Sequence, residues 1–531
     1  MSRRKEVVFY NNRYKGALLS DKNCEILEKL IKISDDNGCI DDLRGLIYDL
    51  TPLSVQQIIE SKSNDLVELP KGELRDSQTV GVAFMYYAKR LILGDSVGLG
   101  KTAQVCGLCN LLESQANKEN MDFRFLLITE KALVEETRKK MIKFTGNYVE
   151  CLYGEKDKIQ KFEKYWEGDL PPNIVGTHSL IKSAYFQDYV RGFIQDNGYN
   201  PFDIFIIDEA GEILTNSTTQ AYKSAKYFAN IFDRIIMMNA TSFEKELEHF
   251  YNQINFLDPT LLPTKEEFDK KYKEFTYGVM RYPVWQGKYK NQKDFQHLIA
   301  YRYLKRTRRS LGAKMIDCSA EVVLSDLSKE QKYLKNRVSI PAMVYDCPSY
   351  FNNLAEEPIY TNQETTPKLR DLVGLVEKLN GDGPILVFSR FKEAQRCIQD
   401  ELIDLDYRCE IMNGDTNQKT RENLINSFKL GDIDVLVTNV QKGLDFGNCN
   451  NCIFYDYDSN PNKMIQFEGR MTRDYDIIGK HVYLLISRGD ELRTFKKTIA
   501  DRAKASDVFS GSDYSCVLSI LLEKDKLKEL K

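Results

Sequence analysis

The sequence predicts an α/β protein of two lobes, each built on a parallel β-sheet, with a small α+β accessory domain ahead of them. Three observations carry this. Leu91-Ile92-Leu93, after Arg90, is a short apolar run that breaks into a glycine-rich turn ending Gly98-Leu99-Gly100-Lys101-Thr102, ahead of a helical stretch. Further strand-like runs follow with helical or loop segments between them: Phe125 to Thr129, Ile174 to Thr177, Ile204 to Asp208 and Ile235 to Asn239. A second alternating series starts near Lys368, with strand candidates Ile385 to Phe388, Cys409 to Met412, Val435 to Thr438, Cys452 to Tyr455 and Val482 to Ile486. A strand buried on both faces of a parallel sheet reads as a near-continuous apolar run, and its functional loops lie at the strands' C-terminal ends.

Size and composition bound the reading. At 531 residues the chain exceeds one core, and the length prior gives about three or four units. With 42% hydrophobic and 29% charged residues it reads as globular. Lys plus Arg number 75 against 78 Asp plus Glu, so no global basic field pulls in nucleic acid and any such binding must use a local groove. No apolar run is long enough to span a bilayer, and the basic start Met1-Ser2-Arg3-Arg4-Lys5 lacks the apolar core of a signal peptide, so an intracellular protein is expected. Twelve cysteines include two C-x-x-C pairs, Cys106 with Cys109 and Cys449 with Cys452. The first pair falls on an expected helix and the second runs into a strand, so reduced, unligated thiols are favoured over zinc. His178, His249, His297 and His481 show no ligand spacing.

Residues 1–70 read as the accessory domain, with Glu6 to Tyr10 as a strand and Asn23 to Ser34 and Val55 to Ile59 as helices. Gln78 comes next, and its amide can both donate to and accept from an adenine edge. In the glycine-rich turn, Gly98 and Gly100 let backbone N–H groups approach a polyphosphate around Leu99, Lys101 can reach terminal phosphates, and the Thr102 hydroxyl can hold a magnesium ion. The strict phosphate-loop pattern has glycine where this chain has Asp95, so the match rests on residues 98–102. Asp208 and Glu209 are adjacent carboxylates at the tip of a strand-like run. Asp208 would hold the magnesium ion through water while Glu209 polarises an attacking water.

Hydroxyls also close other runs, at Thr129, Thr177, Ser179 and Thr241, where they suit nucleic-acid phosphates or serve as plain caps. Tyr301 to Arg309 is the strongest basic run, read as a solvated helix face or a backbone contact. Residues from about Val338 to Thr366 read as a linker. The second series lacks a Gly-Lys-Thr loop and would have to contribute from outside. Gln466 to Arg473 supplies the means, because Arg470 and Arg473 are three apart and would share one helical face, two guanidinium groups to stabilise charge at a γ-phosphate.

These motifs together resemble the Snf2-like branch of superfamily 2 helicases and translocases over roughly residues 72–500. Lys101 and Thr102 fall on its motif I, Asp208 and Glu209 on motif II, Gln466, Gly469, Arg470 and Arg473 on motif VI, and Gln78 on the upstream glutamine. More specific to the branch is Leu247 to Pro259, similar to the segment after motif III; Leu304 to Thr307 and Leu327 to Tyr333 also resemble branch stretches. Asn239 departs from the usual glycine or serine, Gln441-Lys442 from the usual alanine-glycine before Gly443-Leu444-Asp445, and Ser459 from the expected tryptophan.

The resemblance implies two RecA-like lobes: 71–260 as the ATP-binding lobe, 261–366 as a helical insertion and linker, 367–500 as the second lobe and 501–531 as a helical tail. It implies Gly443 and Asp445 as nucleotide contacts, ATP and Mg2+ as substrate and cofactor, and translocation on duplex or branched DNA with branch migration, fork regression or unwinding. A protein-displacing remodeller, an ATP-gated clamp and an RNA helicase are the rival readings. A compact viral or bacterial, cytoplasmic member fits the lack of chromatin-type appendages, with replication or recombination proteins as possible partners. Residues 1–70 resemble the small N-terminal domain of annealing and fork-remodelling helicases.

Overall fold

The computed structural model describes residues 73–153, 171–239, 247–277, 283–299, 302–307, 318–334, 341–347, 365–440, 449–458, 460–471 and 480–503, with 446, 517, 520 and 521. These form two compact units, one running to Thr307 and the other starting at Cys318. The expectations for residues 1–70, Thr241, Gly443, Asp445, Ser459 and Arg473 lie outside the described residues, as does most of 501–531.

In the first unit the strands are β1 (Arg90–Leu93), β2 (Phe125–Thr129), β3 (Val149–Leu152), β4 (Asn173–Thr177), β5 (Ile204–Asp208) and β6 (Ile235–Met238). An antiparallel pair, β7 (Lys273–Tyr277) and β8 (Pro283–Tyr289), and β9 (Tyr303–Leu304) complete the set. All but β7 and β8 form one sheet in the order β3-β4-β2-β5-β6-β1-β9, and every neighbouring pair is parallel. Both faces are covered, which is why the runs read as continuously apolar: Leu91, Leu93, Ile204 and Ile206 face one core, Ile92, Phe205 and Ile207 the other. Arg90 anchors the start of β1 by donating to the carbonyls of Leu257, Ala229 and Phe232.

Helix α1 (Asp76–Ala88) precedes β1, and α2 (Lys101–Lys118) follows the glycine-rich turn. Further on, α3 (Leu247–Leu257) covers the branch-specific segment, and its Phe250 ring meets Tyr303 of β9 at 4.9 Å and Phe295 at 5.5 Å. That aromatic packing holds the two-residue edge strand against β1.

The second unit has one six-stranded sheet. Its strands are β10 (Cys318–Ser325), β11 (Ile385–Phe388), β12 (Cys409–Met412), β13 (Val435–Thr438), β14 (Asn451–Phe454) and β15 (Lys480–Ser487), in the order β10-β15-β14-β11-β13-β12. All neighbours are again parallel. The helix Pro367–Leu379 starts cleanly because Thr366 Oγ1 accepts from the Leu369 amide at 3.2 Å and proline occupies its first turn. Of the expected tail, Val517, Ile520 and Leu521 are buried in this unit's core.

Three expectations need correction. The stretch 261–366 is no separate insertion: it supplies β9 to the first sheet and β10 to the second. Within the expected linker, Pro341–Asp346 is a helix with Met343, Val344 and Tyr345 buried. The basic run is neither a solvated helix face nor a backbone grip where it is described, because Arg302 and Arg306 are 3% and 2% exposed and pair with Asp258 and Asp95. Tyrosine and leucine between those arginines commit the segment to the sheet edge, and burial then demands carboxylate partners.

Candidate nucleotide-binding site

The parallel register sets the site. Leu93 of β1 and Asp208 of β5 both stand opposite Met238 of β6, so the three strands end level and the turn after β1 and the acids after β5 share one sheet edge. Gly98 and Gly100 take left-handed φ values of 86° and 78°, which side chains rarely adopt. The chain then enters the 18-residue helix α2 directly at Lys101, so a glycine-rich turn runs straight into a helix N-terminus, with the Leu99 amide donating to the carbonyl of Ser96 at 3.3 Å. Lys101 Nζ donates to the carbonyl of Asp95 at 2.6 Å and to that of Ser96 at 3.4 Å, an ammonium held at the loop by backbone oxygens.

Gln78 on α1 lies over this loop. Its Nε2 donates to Leu99 O at 3.2 Å and its Oε1 accepts from the Arg75 amide at 3.0 Å, so the amide links the helix start to the loop. A Cβ at Gly100 would lie 2.3 Å from Gln78 Nε2, so a side chain there would displace the Gln78 amide from the loop, and the positive φ favours glycine as well.

Asp208 is a half-buried carboxylate with a prepared surround. Its Oδ2 accepts from Thr129 Oγ1 at 3.2 Å and its Oδ1 from the Glu209 amide at 3.1 Å, while its carbonyl oxygen lies 2.9 Å from His178 Nε2. Burial pushes its pKa up, and the charge of Lys101 with the Thr129 hydroxyl pulls the other way. Glu209 takes a left-handed φ of 49°, uncommon for a side-chain-bearing residue, and turns the chain sharply at the strand tip.

A half-buried carboxylate beside a phosphate-type loop suits a divalent cation. Mg2+ is commonly held by one or two carboxylates or hydroxyls together with substrate phosphates and water, and Thr102 with Asp208 matches that chemistry. Among the described residues no group of three or more His, Cys, Asp or Glu could hold a metal ion on protein ligands alone.

In the second unit, Gln466 is on α4 (Pro461–Glu468) and Arg470 follows it. The helix stops at Glu468, so Arg470 lies in a turn and not on the helical face expected of it. Its amide donates to Phe467 O and its carbonyl accepts from the Phe446 amide, both at 3.0 Å. The C-x-x-C thiols are all buried, and burial raises Cys106 to about 12 and Cys449 to about 11. Cys449 Sγ donates to the carbonyl of Asn451 at 3.0 Å.

Sequence reasoning missed several members of the first unit's site. Thr129 reads from sequence as a phosphate contact or a plain cap and His178 as a histidine without ligand spacing, yet both contact Asp208. The signal was available, since each closes a strand on the same edge as Asp208. Arg306 and Gln104 were also missed; both bond to the side chain of Asp95.

Residues 77–360 match the SNF2-related domain, and residues 367–474 match the helicase conserved C-terminal domain. The chromodomain-helicase-DNA-binding protein 1-like of Danio rerio is 23% identical over 446 residues, covering 78% of this chain and 42% of that relative. DNA repair and recombination protein RAD54B of Mus musculus is 22% identical over 516 residues, covering 83% of this chain and 56% of that relative. The chain thus spans about half the length of these curated relatives. Among solved structures, the SWI2/SNF2 ATPase core of Sulfolobus solfataricus in complex with dsDNA is 20% identical with a TM-score of 0.39, covering 88% of this chain and 98% of that one. The Hef helicase domain of Pyrococcus furiosus is 15% identical with a TM-score of 0.46, covering 78% and 96%.

Proposed function

Because the chain belongs to the SNF2-related family, we propose that it is a nucleic-acid-stimulated ATPase that couples ATP hydrolysis to movement on duplex or branched DNA. The observation that carries the reading is the level ending of β1, β6 and β5, which sets a phosphate-type loop and the Asp208-Glu209 pair on one edge.

Each residue then has a role. Gly98, Leu99 and Gly100 wrap the β- and γ-phosphates, and the Leu99 amide and the Lys101 ammonium exchange their carbonyl partners for phosphate oxygens. Thr102 and Asp208 would hold Mg2+, which supplies charge neutralisation to the phosphates when bound. Glu209 orients the attacking water and accepts its proton. Gln78 borders the adenine side, Arg470 and Arg473 would supply the cations that stabilise transition-state charge, and Gln466 a neutral amide. Gly443 and Asp445 are nucleotide contacts in the same reading.

DNA as the track draws on the relatives, whose names carry DNA binding, repair and recombination. Branch migration, fork regression or unwinding is the finer reading. Displacement of DNA-bound protein would use the same motor, so a strand-displacement assay set beside a roadblock-removal assay separates the two.

The primary test is ATP turnover with single-stranded, duplex, forked and four-way-junction DNA and with RNA. Stimulation by duplex or branched DNA is expected, with turnover reduced about 100-fold or more in Lys101→Ala and in Glu209→Gln. DNA-stimulated turnover unchanged in either variant rules the assignment out.

A further inference from the structure

We propose that Arg306 is a positioning residue for nucleotide turnover, locking the phosphate loop and the Gln78-bearing helix into one frame through the buried carboxylate of Asp95. Asp95 occupies a position where the strict phosphate-loop pattern has glycine, and a carboxylate so close to a polyphosphate would repel it. The structure resolves the conflict by burying Asp95 completely and pairing it with an arginine from β9's end, a region distant in sequence. Arg306 Nε donates to Asp95 Oδ1 at 3.0 Å and Nη2 to Oδ2 at 2.5 Å, the bidentate fork that a guanidinium makes with a carboxylate. The Arg306 amide also donates to Asp95 Oδ1 at 3.1 Å, and its carbonyl accepts from the Ser96 amide at 3.0 Å.

The same guanidinium reaches two helices. Its Nη2 donates to Gln104 Oε1 at 2.6 Å, while Gln104 Nε2 donates to Asp95 Oδ2 at 3.0 Å, closing a ring of buried side chains onto α2. Its Nη1 donates to the carbonyl of Ser77, the residue before Gln78. Two functional groups therefore depend on one cation. Asp95's carbonyl, which holds Lys101 at 2.6 Å, follows from the clamped side chain, and Gln78's station over Leu99 follows from the tethered Ser77.

Gly81 gives a second handle on the same network. A Cβ there would lie 1.9 Å from Gln104 Oε1 and 2.6 Å from Arg306 Nη2, so α1 approaches the ring only where it carries no side chain. In an ordinary helix interior, Gly→Ala is favourable by helix propensity. Here the methyl group would push the fork off Asp95 without removing any charge.

This inference rests on the nucleotide-hydrolysing reading of the loop, and the experiment keeps the two apart. Arg306→Lys and Gly81→Ala are compared with wild type for kcat and KM of DNA-stimulated ATP hydrolysis, for binding of a fluorescent ATP analogue and for melting temperature. Lysine retains the charge but not the fork, so kcat/KM is expected to fall about tenfold or more, with weaker analogue binding, in a protein that still melts cooperatively. Gly81→Ala is expected to lower kcat/KM in the same direction, and it serves alone if Arg306→Lys does not fold. Wild-type-like kcat, KM and analogue binding in folded Gly81→Ala or folded Arg306→Lys overturns the proposal, as does a loss that only tracks the folded fraction. Absence of turnover in wild type would instead overturn the nucleotide-hydrolysing reading itself.

Discussion

The loop after β1 and the loop after β11 open the two alternating series, and they treat anions in opposite ways. After β1, glycines at positive φ lead straight into the start of α2, the backbone shape of an anion cradle. After β11, the protein supplies its own anion: Asp456, fully buried, accepts from Ser389 Oγ at 3.0 Å, from the Arg390 amide at 2.9 Å and from Arg390 Nε at 2.8 Å. A loop whose amide and guanidinium are already occupied by an internal carboxylate has little left for a phosphate. The parallel sheet therefore does not make a nucleotide site by itself; the residues of one turn do.

The buried cations of the two units differ in the same sense. Arg306 uses a planar fork to join a loop, two helices and an edge strand around a working site. Lys368 is a point charge, 1% exposed, that bonds Asp346 Oδ1 at 2.8 Å and Glu491 Oε1 at 3.0 Å and lies 5.5 Å from the Tyr455 ring centroid. Burial pushes the Lys368 ammonium's pKa down, and the two carboxylates more than offset it, so the net direction is up.

The largest effect that tests this comparison is on stability. Lys368→Ala strands two buried carboxylates and is expected to cost about 3–5 kcal/mol in denaturant unfolding, with kcat/KM per folded molecule unchanged. Far-UV circular dichroism in a denaturant series measures the loss. If folded Lys368→Ala loses kcat/KM as Arg306→Lys is expected to, the two clamps are not different in kind.

The two sheets were legible in the sequence because burial on both faces leaves an unbroken apolar run for each central strand, as in Phe125–Thr129 and Val435–Thr438. Among the described edge strands, β12 was legible, but β3, β9 and β10 were not. β3 is four residues with Glu150 inside it, and β9 is two residues within a basic run, so neither has a periodicity to read. The phosphate loop and the strand-tip acids were legible as local motifs with their own chemistry. Arg306 was not, because its partner Asp95 lies 211 positions away, and a basic run carries no mark of the carboxylate it will meet. The motif VI arginines show the opposite limit: three-residue spacing implies one helical face only if the helix continues, and it ends at Glu468.

A middle-sized effect is expected at Asn239, where the branch usually has glycine or serine. Its Nδ2 donates to Gln253 Oε1 at 3.2 Å, with both side chains buried, so the departure brings a polar partner on α3 with it. Asn239→Gly removes the donor and is expected to cost about 1–3 kcal/mol, whereas Asn239→Gly with Gln253→Leu should recover most of that loss. Chemical unfolding followed by tryptophan fluorescence measures the coupling. Additive losses in the double variant would mean that the two amides are independent.

The smallest effect concerns His178, which links β4 to the carbonyl of Asp208, an edge that in the second unit is tied by Arg390 and Asp456 without a histidine. Burial pushes its pKa below the ordinary 6.5, with the Asp208 carbonyl and nearby carboxylates opposing. A base whose folded pKa is depressed contributes stability that is complete above its unfolded pKa and is lost as pH falls from there towards the folded value. Between pH 7.5 and 5.5 the tryptophan-monitored melting temperature of wild type should therefore fall more steeply than that of His178→Gln, which keeps a donor for the carbonyl but cannot be protonated. The difference in slope is expected to be smaller than the amide-pair effect. Parallel profiles would mean that His178 titrates alike in both states, and that the first unit's edge holds Asp208 without regard to charge on the ring.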